Sequence, residues 1–178
     1  MRKYPILVGP VLAAWFALAS AVARDRPPPH SIVLETEPGF CMGHCDWYRL
    51  TVTADGKTKL QVFHNDEVVR SKRIRLTAAQ YTAFRDRLAP FRPVGDRFLQ
   101  EPQQCDGFAT DLGGYRVTWT DEGPPARLVL NDGCGGKQFV PMREALESAA
   151  AGLGFEDLPG SSSGVVASTV MEMPTADH

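Results

Sequence analysis

Residues 47–64 carry the clearest alternation of apolar and polar positions in the chain. Over residues 47–53 the apolar positions recur with a period of two, which predicts a half-buried strand. Asp55-Gly56 follows at once and is a strong hairpin signal, because both central residues of such a turn take positive φ. The alternation returns over residues 58–64, which predicts the partner strand. The side chains expected to face the core are Tyr48, Leu50, Val52, Leu60 and Val62.

Two further runs extend this hairpin to a four-strand meander, and a helix follows it. Residues 31–37 and 68–76 are predicted as the first and fourth strands. Thr77 and Gln80 then have the spacing of a capping box, which marks the start of a helix. Its predicted buried face, at helical spacing, is Tyr81, Phe84 and Leu88.

In the second half of the domain, the apolar positions again change from the alternation of strands to the spacing of a helix. Residues 115–119 and 127–130 predict a second hairpin, and residues 141–153 predict a closing helix. Residues 92–111 are interpreted as a long loop, because they carry prolines, glycine and scattered charge. The expected fold is a single α+β domain: an antiparallel sheet, made of the four-strand meander plus the second hairpin, with two helices packed on one face.

The first 23 residues have the layout of a secretory signal peptide. Arg2 and Lys3 precede an apolar run, and small residues at positions 21 and 23 predict cleavage after Ala23. The alternative is an uncleaved anchor, but the run is interrupted by Gly9-Pro10 and is shorter than a spanning helix. We therefore expect a periplasmic or secreted protein with no stable membrane span after cleavage.

The rest of the chain divides into a linker, one domain and a tail. Residues 24–30 are predicted as the linker, 31–159 as a disulfide-bridged domain, and 160–178 as a disordered tail rich in small polar residues. The net charge is −2, with 22% charged residues. This balance argues against disorder of the whole chain, and no nucleic-acid partner is expected.

The four cysteines of the mature chain predict two disulfide bonds, as an even count does in an exported protein. Three pairings are open in principle. Cys105 precedes the second predicted hairpin and Cys134 follows it, and the open ends of a hairpin are neighbours in space. This geometry favours Cys105 with Cys134, which leaves Cys41 with Cys45.

A set of positions spread over residues 31–56 resembles a known family. The pattern is Cys-x-Gly-x-Cys-x-x-Tyr followed by Asp-Gly, carried here by Cys41, Gly43, Cys45, Tyr48, Asp55 and Gly56. With these residues the chain resembles the domain-of-unknown-function family 6438 over about residues 31–159. Met42 and Asp46 depart from the Phe and Pro that are usual there. The resemblance implies a mostly exported bacterial family, and it implies no activity, so no catalytic residue carries over.

The stretch Cys41-His44-Cys45 is the main candidate for chemistry. A structural zinc site takes four ligands, usually as two pairs, and a thioredoxin-like centre has Cys-x-x-Cys at the start of a helix. Here three residues separate the cysteines and a strand follows. A structural disulfide is therefore the favoured interpretation, and a thiol-redox or metal-binding protein using Cys41, His44 and Cys45 is the alternative.

The other candidate motifs favour structural roles. Residues 70–75 form a basic run, which suits either an edge strand or a polyanion site. Acidic residues in predicted turns do not match a calcium loop, and Gln138 stands where a phosphate loop needs Ser or Thr. The Gly-x-Ser-x-Gly spacing occurs at residues 160–164, but these residues open the predicted tail and lack the strand–turn–helix context of a hydrolase nucleophile.

These observations predict no catalytic, cofactor-binding or metal-ligating residue. We expect a non-catalytic binding or structural module of the cell envelope rather than an enzyme whose site no motif marks. His44 and Trp47 are the predicted contact patch. An envelope protein or a small ligand is the expected class of partner.

Overall fold

A computed structural model of the protein describes residues 28–43, 45–155 and 158–159. The predicted signal peptide, most of the predicted linker and the predicted tail lie outside these residues. Within them the chain forms one seven-stranded sheet and two α-helices. The predicted single α+β domain is confirmed.

The elements follow one another along the chain, and the sheet order shows how they pair. The strands are β1 Ser31–Glu37, β2 Asp46–Thr53, β3 Lys57–His64, β4 Glu67–Arg75, β5 Asp96–Leu99, β6 Gly114–Thr120 and β7 Ala126–Asn131. The helices are α1 Ala78–Leu88 and α2 Val140–Ala151. The order across the sheet is β4-β3-β2-β1-β6-β7-β5. The meander β1–β4 and the hairpin β6–β7 are thus joined through β1, which pairs antiparallel with β2 on one side and β6 on the other.

Strand β5 was not predicted, and it corrects the interpretation of residues 92–111 as a loop. It pairs parallel with β7, so the sheet is mixed at that edge rather than wholly antiparallel. The strand is four residues long, and only Leu99 in it is buried. Four residues are too few to show a period of two, and the pairing depends on a partner about 30 residues further along the chain.

The core lies between one face of the sheet and the two helices. Tyr48, Leu50 and Val52 are almost completely buried, as their alternation predicted. They belong to one cluster with the buried faces of both helices, which are Tyr81, Phe84, Leu88, Met142, Leu146, Ala149 and Ala150. The predicted capping box at Thr77 is present, with Gln80 N donating to Thr77 Oγ1 at 3.2 Å.

The opposite face of the sheet is polar and is not covered by either helix. Arg49, Arg116 and Arg127 alternate with buried residues along three of its strands. The basic run at residues 70–75 lies in β4, at the outer edge of the sheet. The predicted edge strand is therefore confirmed.

The last residues of the predicted linker contact the domain. Pro29 is buried, and its carbonyl accepts a hydrogen bond from the Tyr81 hydroxyl at 3.1 Å. His30 N donates to Thr120 O at 2.8 Å. The chain therefore enters the sheet from a fixed position beside α1.

Candidate functional site

The segment between β1 and β2 contains a small covalent ring, residues 41–45. We call this ring, together with Phe40 that precedes it, the Cys loop (residues 40–45). Cys41 and Cys45 are joined by a disulfide, with their Cα atoms 5.4 Å apart. Gly43 has a φ of +88°, a value that L side chains rarely adopt, so a glycine suits this tight ring. His44, half of the predicted contact patch, lies outside the described residues, so its role remains a prediction.

The turn between β3 and β4 holds the Cys loop in place through Asn65. Cys45 N donates to Asn65 Oδ1 at 3.1 Å, and Asn65 N donates to Cys45 O at 3.1 Å. Asn65 Nδ2 also donates to Gly43 O at 3.0 Å. Asparagine supplies a donor and an acceptor on one side chain, and it tolerates the positive φ of 47° found here. The contact joins residues about 20 positions apart in the chain, so no local sequence pattern marks it.

Two large apolar side chains of the Cys loop extend into solvent. Phe40 is 74% exposed and Met42 is 83% exposed. Phe40 N donates to Asp111 O at 2.7 Å, which brings the loop next to Leu112, a third exposed apolar residue. Scattered single apolar residues are ordinary on a surface, whereas contiguous apolar patches mark contact sites, so the highly exposed Phe40 and Met42 are the candidates for contact at this end of the sheet.

A groove of about 440 Å³ lies at the same end of the sheet as the Cys loop. Its lining consists of Thr36, Glu37, Pro38, Gly39, Cys41, Asp46, Gly113, Gly114, Tyr115, Asp132 and Pro159. The glycines allow close backbone contact: a Cβ on Gly39 would lie 2.6 Å from Asp111 O, and one on Gly114 would overlap Leu130 O. Neighbouring backbone therefore fills the space that a side chain at these positions would need.

The three carboxylates of the groove each have a basic partner. Asp46 Oδ1 lies 2.7 Å from His64 Nδ1, and Glu37 forms an ion pair with Arg116. Asp132 Oδ1 accepts from Arg143 Nε at 3.4 Å.

The pKa values of two groove residues are raised by burial. Burial raises the pKa of the Asp132 carboxyl, and the charge of Arg143 opposes that shift. Burial also raises the pKa of the Tyr115 hydroxyl. Burial therefore disfavours the charged form of Asp132, and its contact with Arg143 offsets part of that cost.

Trp47, the other half of the predicted patch, lies on the open face of the sheet, opposite Tyr48 as predicted. Its ring stacks on Phe63 with centroids 3.8 Å apart and planes 3° apart. The Arg49 guanidinium lies 5.4 Å from the Trp47 ring centroid. Trp47 Nε1 donates to Asp66 Oδ1 at 3.3 Å, so the Asn65-Asp66 turn contacts both the Cys loop and this tryptophan. Trp47 is half-buried rather than free.

The second disulfide joins the predicted partners in a very different setting. Cys105 and Cys134 are bridged with Cα atoms 5.0 Å apart, and Cys134 is fully buried. Both bonds match the pairing that the hairpin geometry favoured. Two bridges of this kind fit a protein from an oxidising compartment.

The remaining candidate motifs have local partners. Asp106 accepts from Gln138 Nε2 at 3.0 Å, and Asp121 forms an ion pair with Arg92. Among the described residues, no three His, Cys, Asp or Glu side chains are grouped closely enough to hold a metal ion. The redox and metal alternatives for the Cys loop stay untested, since His44 is not described.

No known protein family, curated protein or solved structure matches the chain. The resemblance to family 6438 therefore stays a prediction. In the described part of the chain, neither helix has the length and apolar character needed to cross a membrane.

Proposed function

We propose that the protein is an exported, non-catalytic module of the cell envelope that binds its partner through the Cys loop and the adjoining groove. The observation that carries the proposal is the exposure of Phe40 and Met42 on a loop that is closed covalently. Large apolar groups held in water are unfavourable for the isolated domain. A binding partner that covers them would recover that free energy.

The rigidity of the Cys loop supports a binding role. A disulfide across five residues and the hydrogen bonds to Asn65 restrict the loop before any partner arrives. Binding through a preorganised loop loses less conformational entropy than binding through a flexible one. The groove beside it gives an extended partner segment space to lie next to the loop.

The cysteine arrangement supports export, together with the predicted signal peptide. Closed bridges at both pairs are typical of a protein in an oxidising compartment. The proposal of family 6438 membership leads to the same compartment. The contacts of Glu37 with Arg116, of Asp46 with His64 and of Asp132 with Arg143 favour a structural use of the groove carboxylates over acid–base chemistry.

Site-specific photo-crosslinking in cells that export the full chain tests the proposal. A photoreactive phenylalanine analogue is placed at Phe40, at Met42 or, as a control, at Val94, which is 88% exposed and lies elsewhere on the surface. We expect one discrete crosslinked product from positions 40 and 42 and none from position 94. The same products from all three positions, or no product from 40 and 42, would contradict a contact surface at the Cys loop.

A matched pair of variants quantifies the same contact. Met42→Ser removes an exposed apolar side chain from the loop, and Val94→Ser removes one of similar exposure outside it. With the crosslinked partner in hand, Met42→Ser should weaken binding about tenfold, the loss expected for about 1.4 kcal/mol of apolar contact. Val94→Ser should leave the dissociation constant unchanged, and equal effects from the two variants would overturn the assignment.

A further inference from the structure

Strand β4 presents an open backbone edge that carries an unusual density of positive charge. It is nine residues long, it lies at the end of the sheet order, and it pairs only with β3. We call its cations and those beside them on β3 the basic edge. The basic edge consists of Lys57, Lys59, Arg70, Lys72, Arg73 and Arg75.

The strand register places like charges directly opposite one another. Lys57 pairs with Arg75, and Lys59 pairs with Arg73, all on the face away from the helices. Like charges at directly opposed positions destabilise a sheet. Asp55 offsets part of this at one end, where its Oδ2 lies 2.6 Å from Lys57 Nζ. In the described part of the chain, Lys59 and Arg73 form no ion pair, and their neighbour on β2 is the neutral Thr51.

Protection of the edge against aggregation accounts for only part of this charge. Lys and Arg on an edge strand discourage pairing with other chains, and the β4 residues have that effect. Lys57 and Lys59 are different, because they lie on β3, which is already paired on both sides. They add repulsion within the sheet without shielding the edge.

We propose that the basic edge binds an extended acidic segment of a partner protein, which adds to β4 as an eighth strand. The free edge of β4 offers backbone donors and acceptors to such a segment. Strands pair about 4.8 Å apart, so alternate acidic side chains of the added strand would lie beside Arg73 and Arg75 on one face. An acidic residue at one of the intervening positions of the added strand would lie beside Lys72 on the other face of the sheet.

Charge complementarity selects this occupant over a second copy of the chain. Antiparallel pairing of β4 with the β4 of another copy, centred on Ser71, would set Glu67 opposite Arg75 at each end. It would also set Arg70 opposite Lys72 twice and leave Arg73 opposite the uncharged Val69, so the repulsion between Lys59 and Arg73 would remain. An acidic strand removes that repulsion and satisfies the backbone in one step. An anionic membrane or a flexible polyanion would neutralise the charges and leave the backbone edge unpaired.

Two capped ten-residue peptides of equal charge test the proposal with the purified full chain. One alternates Glu with Thr and can form a strand, and the other alternates Glu with Pro, which removes every second backbone donor. The Glu-Thr peptide should bind at least tenfold more tightly than the Glu-Pro peptide. It should also slow amide hydrogen exchange in β4 more than in β5. Equal affinity for the two peptides, or binding without slowed exchange in β4, would overturn strand addition.

Vesicles and variants complete the test. Binding to phosphatidylglycerol vesicles without binding of the Glu-Thr peptide would overturn the proposal in favour of a membrane surface. Lys59→Glu with Arg73→Glu should weaken peptide binding at least tenfold. The matched control, Arg97→Glu with Arg127→Glu, makes the same change in charge at the other edge of the sheet and should leave binding unchanged. Equal loss in both variants would contradict a site at β4.

A neutral variant guards against misfolding as an explanation. Lys59→Gln with Arg73→Gln removes the opposed charges, so its unfolding midpoint should equal or exceed that of the parent chain. Its affinity for the Glu-Thr peptide should still fall. Unchanged affinity in this well-folded variant would overturn the role of the two cations.

Discussion

The two disulfide bonds stand in opposite relation to the fold. The Cys105–Cys134 bridge spans 29 positions of sequence and ends in a cysteine that is fully buried in the core. The Cys41–Cys45 bridge spans four positions, and both of its cysteines are partly exposed at the end of the sheet. The first bond connects distant parts of the domain, whereas the second shapes one loop that presents Phe40 and Met42. The same chemistry thus serves stability in one place and surface geometry in the other.

The largest expected effect is the loss of the long bridge. In the chain-entropy model, a bridge that closes about 30 residues contributes roughly 3.5 kcal/mol to the free energy of unfolding. Cys105→Ala with Cys134→Ala should cost at least this much, because the buried Cys134 sulfur also leaves a cavity in the core. Urea unfolding followed by circular dichroism measures the change. A loss below about 1 kcal/mol would contradict the assigned structural role.

Removal of the short bridge should cost less and should act locally. A ring of five residues contributes roughly 2 kcal/mol in the same model. Cys41→Ser with Cys45→Ser should therefore lower stability by about that amount and leave hydrogen exchange in β6 and β7 unchanged. The partner contact proposed for Phe40 and Met42 should weaken as the loop loses its shape.

Mild reduction of the native chain compares the two bonds directly. The exposed Cys41–Cys45 bond should open first, and alkylation with peptide mapping identifies the thiols. If the Cys105–Cys134 bond were reduced first, the assignment of the long bridge to stability and the short bridge to surface shape would be contradicted. Stable resistance of both bonds would argue against the alternative of a redox-active Cys loop.

The contrast also explains which features the sequence could predict. The alternation at Tyr48, Leu50 and Val52 encodes burial directly, and the capping box at Thr77 is a local signal, so the meander and α1 were predicted correctly. The Cys105–Cys134 bridge followed from the hairpin between its ends. In each case the information lies in neighbouring residues or in one turn.

Features that depend on distant contacts were missed. Strand β5 exists because it pairs with β7, and its four residues show no period on their own. The contact of Asn65 with the Cys loop joins Asn65 to Gly43, 22 residues away. The exposure of Phe40 and Met42 was not predicted either, because an apolar residue in a loop shows no periodic pattern that would indicate the side on which it lies.

The hydrogen bonds of Asn65 should have a smaller effect than the short bridge that they support. Asn65→Ala removes the side-chain bonds to Cys45 N and Gly43 O and places alanine at a φ of 47°. We expect a loss of about 1–1.5 kcal/mol, since a typical hydrogen bond contributes about 1 kcal/mol net and less at an exposed site. Asn65→Gly is the matched control, because glycine accepts the positive φ and loses only the hydrogen bonds. Thermal or urea unfolding that finds no loss for either variant would show that the disulfide alone fixes the loop.

Gly43→Ala should have the smallest effect of the series, and it tests how the ring and its bridge are coupled. Nothing lies within 4 Å of a Cβ at this position, so the cost comes only from the φ of +88° and should be about 1 kcal/mol. Gly123→Ala is the control, because its Cβ also meets open space and its φ lies outside the strained range. A second measurement tests the coupling between Gly43 and the bridge. In the chain that carries Cys41→Ser and Cys45→Ser, the opened loop can relax, so the cost of Gly43→Ala should fall towards zero. A double-mutant cycle of urea unfolding measures this coupling. An undiminished cost in the opened loop would mean that Asn65, rather than the disulfide, imposes the positive φ.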